Sequence, residues 1–101
     1  MDYEVARGLL NLIILDFYKD GQPHKVSELL KLLPKKLDIE FSPGTVYTRL
    51  TDLQLHGLLK REGKTGEPQT YEITEKGKKT RANWMKSAQK IVALMEWLPE
   101  A

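Results

Sequence analysis

The residues best suited to chemistry lie in one stretch, FSPGTVYTRLTDLQLHGLLKREGKTGEPQTYEITEKG, from Phe41 to Gly77. At its front, Ser42, Gly44, Thr45, Thr48 and Arg49 bring together short hydroxyls, a bare backbone position and a guanidinium. Threonine can bond base edges and touch a thymine methyl, and Arg49 can take a guanine in bidentate fashion or a phosphate. Ser42, the free N–H groups of the helix it precedes and the Tyr47 hydroxyl suit a phosphate. Further on, Lys60, Arg61, Lys64, Thr65 and Gln69 surround a polar, glycine-rich turn, with Tyr71 closing the segment. Such a turn can rest on a sugar-phosphate backbone. Blander readings stand beside these: Arg49 as a surface partner of Asp52 or Asp38, and Tyr47 as part of the buried side.

Catalysis has much less to work with. His24 and His56 are far apart, each in a turn or cap context. Gly63-Lys64-Thr65 resembles the end of a phosphate-binding loop, but residue 58 is leucine where that loop needs glycine. There is no cysteine, so no disulfide framework, thiolate metal site or cysteine nucleophile. No metal site or cofactor is expected, and the chain does not read as an enzyme.

The elements that position these residues are marked by their ends. Ser42-Pro43 is a strong helix entry, because serine caps orphan N–H groups and proline fits the first helical position. Val46, Leu50 and Leu53 give that helix, about residues 43–57, a buried side, and Gly57 is expected to close it as a left-handed cap. Leu58 to Glu62 and Thr70 to Ile73 alternate as the strands of a hairpin around residues 63–68. Thr74 caps a last helix that runs to about Leu98 before Pro99.

Upstream, residues 4 to 18 read as one helix that is apolar around most of its circumference. Such a helix is either wrapped by its own fold or shared with a second subunit. Residues 20 to 23 form a turn, His24 to Val26 a brief strand, and Ser27 fits the N-cap of a helix that Pro34 should break or kink. In the last helix Trp84, Ala88, Ile91, Met95 and Leu98 recur at spacings of four, three, four and three. That is a heptad seam over two repeats, flanked by Val92, and it suits pairing with a twin helix when other contacts help.

The order α, α, α, hairpin, α is that of a winged helix-turn-helix. The fold expected is mainly α with a small β-hairpin wing (α+β). Residues 1–77 form the DNA-binding part and residues 74–101 a C-terminal dimerisation helix, in one continuous domain. The helix at 43–57 would enter the major groove, and the wing at 58–73 would lie on the backbone or minor groove. Candidate dimer contacts are Leu9, Leu10, Leu12 and Ile13 with Trp84, Ala88, Ile91, Val92, Met95 and Leu98.

Ser42-Pro43-Gly44-Thr45-Val46-Tyr47, Leu50, Leu53, Gly57-Leu58-Leu59 and Tyr71-Glu72-Ile73-Thr74-Glu75-Lys76-Gly77 closely resemble the PadR-type transcriptional regulators. The resemblance implies a homodimer, held by the first and last helices, that represses transcription from operator DNA. It also implies that a planar hydrophobic effector can bind between subunits, with Trp84 and Trp97 as candidate contacts. At His24-Lys25 the family often has His-Gly before an aromatic residue, so no role for that glycine carries over.

The totals fit. A chain of 101 residues, 41% hydrophobic and 30% charged, makes one globular domain. Its net charge of +2 hides an acidic first third and a basic Lys60 to Arg81 segment. A polyanion would be steered to the second. No apolar run is long enough to span a bilayer, and no basic flank precedes Leu9 to Leu15, so a cytoplasmic protein is expected. The competing function is a winged-helix protein-interaction module without specific DNA binding.

Overall fold

The computed structural model describes residues 1–63 and 68–99. Elements follow the order α1 (Tyr3–Gly8), α2 (Leu10–Phe17), β1 (His24–Lys25), α3 (Val26–Leu37), α4 (Pro43–Leu55), β2 (Leu59–Glu62), β3 (Thr70–Ile73) and α5 (Glu75–Trp97). The strands make one antiparallel sheet in the order β1-β3-β2. Thus the hairpin and the brief strand at His24 belong together: Tyr71 lies opposite His24 on one side and Arg61 on the other.

The strong start and stop signals are used as the sequence implies. Ser42 Oγ accepts the Thr45 N–H at 3.2 Å. Gly57 closes α4 at φ +75°, a left-handed conformation that glycine adopts without penalty. Thr74 Oγ1 accepts the Gly77 N–H at 2.9 Å and donates to the Gly57 carbonyl at 2.7 Å. One hydroxyl therefore starts α5 and ties it to the end of α4. Gly77 packs directly on the Leu58 carbonyl, leaving no room for a side chain. Asp2, which carries no such marker in the heptad or loop patterns, caps α1 by accepting from the N–H groups of Glu4 and Val5 at 2.9 and 3.1 Å.

Three expectations about the first helices need correction. Residues 4 to 18 form two helices, not one, with the break at Leu9 (φ −105°, ψ 7°) beside Gly8, a poor helix former. Ser27 is not a cap. The helix begins at Val26 directly out of β1, where the Val26 N–H donates to the Gln69 carbonyl at 3.0 Å, and no side chain caps it. Pro34 does not end α3, which continues to Leu37. Pro34 lies near the C-terminus of the helix, where the one lost bond matters less. The Asp38 N–H donates to the Pro34 carbonyl at 2.9 Å, and Asp38 turns left-handed at φ 56° to stop the helix.

The core joins Leu10, Ile14, Leu15 and Tyr18 of the first helices to Leu29 and Leu33 of α3, to Val46, Leu50 and Leu53 of α4, and to Leu59, Tyr71 and Ile73 of the sheet. α2 lies at its centre and packs on both α4 and α5. An ion pair locks the second contact, with Arg81 Nη2 2.7 Å from Asp16 Oδ1. Leu10 is therefore removed from the candidate dimer contacts: it is fully buried within its own subunit and cannot reach another. Beyond Ala88, α5 leaves the core. Ile91, Val92, Leu94, Met95, Trp97 and Leu98 are exposed, and the chain extends to 54 Å along its longest axis. No helix among the described residues is long and apolar enough to cross a membrane.

Candidate nucleic-acid interface

α4 buries one side and offers the other. With Val46, Leu50 and Leu53 inside, the helical period turns Gly44, Thr48, Thr51 and Leu55 outward, all exposed. Thr48 Oγ1 donates to the Gly44 carbonyl at 2.9 Å and Thr51 Oγ1 to the Tyr47 carbonyl at 3.0 Å. Each hydroxyl proton is thereby engaged on the helix itself. The outward face presents methyl groups and acceptor lone pairs, and it carries no charge on these four residues. Thr51, which lies beyond the SPGT helix entry that singles out Gly44, Thr45 and Thr48, continues the Gly44–Thr48 face by one further turn.

Thr45 and Arg49 lie on the flank towards the first helices. Thr45 Oγ1 is 2.8 Å from Ser42 Oγ. Arg49 is half-buried, and its Nη1 donates to Asn11 Oδ1 on α2 at 3.1 Å. Neither Asp38 nor Asp52 is its partner among the described contacts. An open cleft of about 470 Å³ lies between α1 and the start of α4, walled by Tyr3, Arg7, Ser42, Thr45, Thr48 and Arg49. Nothing local in the sequence places Arg7 there, because only tertiary packing brings α1 to α4. Tyr47 lies at the surface, 37% exposed, and not in the core.

The wing is more tempered than its lysines and arginines imply. Lys60 and Arg61 are exposed on β2, but Lys60 Nζ is 3.3 Å from Glu62 Oε1. The Glu62 and Glu72 carboxyls share a hydrogen bond on the adjacent strands. It holds Glu62 below the ordinary glutamate range, helped by Lys60, and lifts Glu72 above it. Gln69 is half-buried, with its side-chain oxygen turned inward and no partner among the described residues. Tyr71 is corrected as a DNA contact: its side chain is 3% exposed, filling the space between β3 and the core. Burial raises its hydroxyl above the usual tyrosine value, partly opposed by Arg61. Lys64 and Thr65 fall outside the described residues.

Two further cavities flank Trp84. One, about 310 Å³, lies among Leu9, Leu12, Trp84, Ala88 and Ile91, and the other, about 410 Å³, among Asp52, His56, Lys76, Thr80 and Trp84. Asn11 lines both. Trp97 lines neither of them and is 79% exposed. Among the described residues no cluster of three or more His, Cys, Asp or Glu side chains could hold a metal ion.

Four packed helices, a hairpin antiparallel to a short strand, and a long helix after the hairpin define a winged helix-turn-helix with a C-terminal extension. The chain belongs to the PadR-like family of transcriptional regulators, whose sequence pattern matches residues 14–83. Its members are regulators of transcription, and the chain is not an enzyme. A transcriptional regulator from Clostridium thermocellum shares the fold with a TM-score of 0.84 at 21% identity, over 99% of each chain. A PadR-like transcription factor from Bacteroides fragilis does so with a TM-score of 0.76 at 23% identity, over 95% of each chain. No curated protein matches the sequence. At these identities the likeness to solved structures is one of fold.

Proposed function

We propose that the chain is a homodimeric repressor that binds operator DNA, with α4 in the major groove and the β2–β3 wing on the adjacent backbone. The observation that carries this reading is the exposed, uncharged face of α4 at Gly44, Thr48 and Thr51, with Arg49 on the flank of the same helix and Lys60 and Arg61 exposed on the following strand. Base edges are met by small polar and methyl groups, and cations beside them meet phosphates. Ser42, Thr45 and Tyr47 complete the first turns of that surface, with Lys64, Thr65 and Gln69 as further wing contacts. The dimer would form through Leu9, Leu12 and Ile13 with Trp84, Ala88, Ile91, Val92, Met95 and Leu98. A planar apolar effector would enter the cavity beside Trp84 at the base of that interface, with Trp97, which does not line that cavity within one subunit, as the other candidate contact.

Selection of bound fragments from genomic DNA, followed by titration of the winner and a scrambled duplex, tests the reading. A specific complex weakening steeply with salt is the expected result, since phosphate contacts release counterions. No difference between the duplexes would overturn it. Leu55, 79% exposed on the outward face of α4, favours a second reading in which α4 docks a protein. In that case Leu55→Ser would abolish partner binding, and no duplex would be bound specifically.

A further inference from the structure

The cleft between α1 and α4 gathers positive charge that base reading does not require. We propose that it is a phosphodiester site, in which Arg7 and Arg49 hold one backbone phosphate of the DNA while Asn11 keeps Arg49 in position. The proposal rests on the reading of the chain as a DNA-binding regulator and adds a contact from the first helix to it.

Two guanidinium groups share the walls of this cleft, and none of its lining residues is an acid. Like charges facing one space repel unless an anion lies between them. Among the described residues Arg49 pairs with no acid, and Arg7 meets only Glu4. The ion pair from Arg7 to Glu4 spans 3.7 Å between side chains that are 57% and 77% exposed, too long and too solvated to hold the guanidinium back. Arg49 uses one N–H on the neutral Asn11 amide and keeps the rest of its fork of donors, which suits the paired oxygens of a phosphate.

Position favours the backbone over a base. Arg49 stands on the flank of α4, between the buried Val46 side and the outward Gly44–Thr48 face, and Asn11 draws it towards α2 and away from that face. When the outward face meets bases, the flank meets the strand that borders the groove. Arg7 is brought to the same place by a packed aromatic pair, Tyr3 against Phe41 with ring centroids 5.3 Å apart, where Phe41 leads into α4. Tyr3 itself forms part of the cleft wall.

The test compares the wild type with Arg7→Ala, Arg7→Lys and Asn11→Ala on a selected duplex and on a scrambled one, across a salt series. Arg7→Ala should weaken both duplexes alike, by roughly ten-fold at low salt. Its logarithmic salt slope should shrink by about one unit, and Arg7→Lys should restore the slope. Asn11→Ala should lose affinity only where Arg49 is present: in an Arg49→Ala background it should cost nothing more. A scan with single neutral methylphosphonate linkages should find one position that weakens the wild type and leaves Arg7→Ala unaffected. An unchanged slope in Arg7→Ala, or a loss confined to the selected duplex, overturns the phosphate assignment while the DNA-binding reading survives. Displacement of the duplex by inorganic phosphate at matched ionic strength, with no sensitive linkage in the scan, also overturns it, by assigning the cleft to a free anion. A wild type that binds no duplex overturns both. Far-UV circular dichroism of Arg7→Ala should match the wild type, because the side chain is exposed on a helix capped independently by Asp2.

Discussion

The two halves of α5 live in different surroundings. Its first turns are fastened on every side: the Thr74 hydroxyl bonds Gly57, Gly77 lies on Leu58, Lys76 Nζ donates to the His56 carbonyl at 2.9 Å, and Arg81 pairs with Asp16. Beyond Ala88 the same helix presents Ile91, Val92, Leu94, Met95, Trp97 and Leu98 at 49% to 79% exposure. Burying one such side chain contributes about 1.5–3 kcal/mol. The first half belongs to a finished winged helix, and the second has the composition of a core without a second wall. A helix can thus be structural in one half and associative in the other, and only its burial shows where the change falls.

Substitutions that separate the halves test that contrast. The largest effect is expected for Gly77→Ala, where a methyl would meet the Leu58 backbone. It should lower stability by about 3 kcal/mol or more, read as a shift in the denaturant midpoint at constant protein concentration. Next, Ile91→Asp places a carboxylate on the exposed stripe. Being present in both subunits, it should raise the dimer dissociation constant roughly 100-fold by analytical ultracentrifugation, with helical content little changed. Collapse of the whole fold in Ile91→Asp would show that the distal half of α5 is part of the subunit core after all. A smaller loss, about 1 kcal/mol, is expected for Ser42→Ala, which removes the α4 cap without touching α5.

The smallest expected effect concerns pH. His24 lies between two carboxylates, with Nε2 2.8 Å from Asp20 Oδ2 and Nδ1 3.3 Å from Glu28 Oε2. The Asp20 hydrogen bond, above all, raises the histidine above its usual value. A group whose folded pKa is raised contributes stability that is complete below its unfolded value, near pH 6.5, and is lost as the pH rises through the folded value. The contribution should be under about 1 kcal/mol, since the carboxylates are half exposed. The change in stability between pH 5.5 and 8.5, read from melting curves, should be more negative in the wild type than in His24→Gln by this increment. Equal pH dependence in the two proteins would rule the bridge out.

Local chemistry made much of the fold legible. Ser42, Gly57 and Thr74 mark α4 and α5 because capping is decided by neighbouring atoms, and Val46, Leu50 and Leu53 mark the inner side of α4 by period alone. What stayed hidden depends on the third dimension. A first helix apolar all round does not say that Leu10 faces inward while Leu9 remains 45% exposed. Tyr71 alternates correctly in its strand, but alternation does not tell which side is the core. Pro34 is a breaker by propensity and is tolerated because of its place in the helix. At the interface, Thr48 follows from the helix entry, while Arg7 needs the Tyr3–Phe41 contact and Arg49's orientation needs Asn11.

From the Thr74 cap to Trp97, α5 runs unbroken, with neither glycine nor proline after Gly77. Its exposed stripe and its anchored base are therefore held in a fixed angular phase. One residue added between Arg81 and Ile91 would turn the stripe by about 100° and advance it about 1.5 Å relative to α4, whereas seven would nearly restore the phase. If two copies meet along the stripe, that phase sets how their α4 helices are turned about the axis of a duplex. Insertions in α5 would then alter the preferred distance between half-sites in a periodic way, though no residue near the DNA had changed.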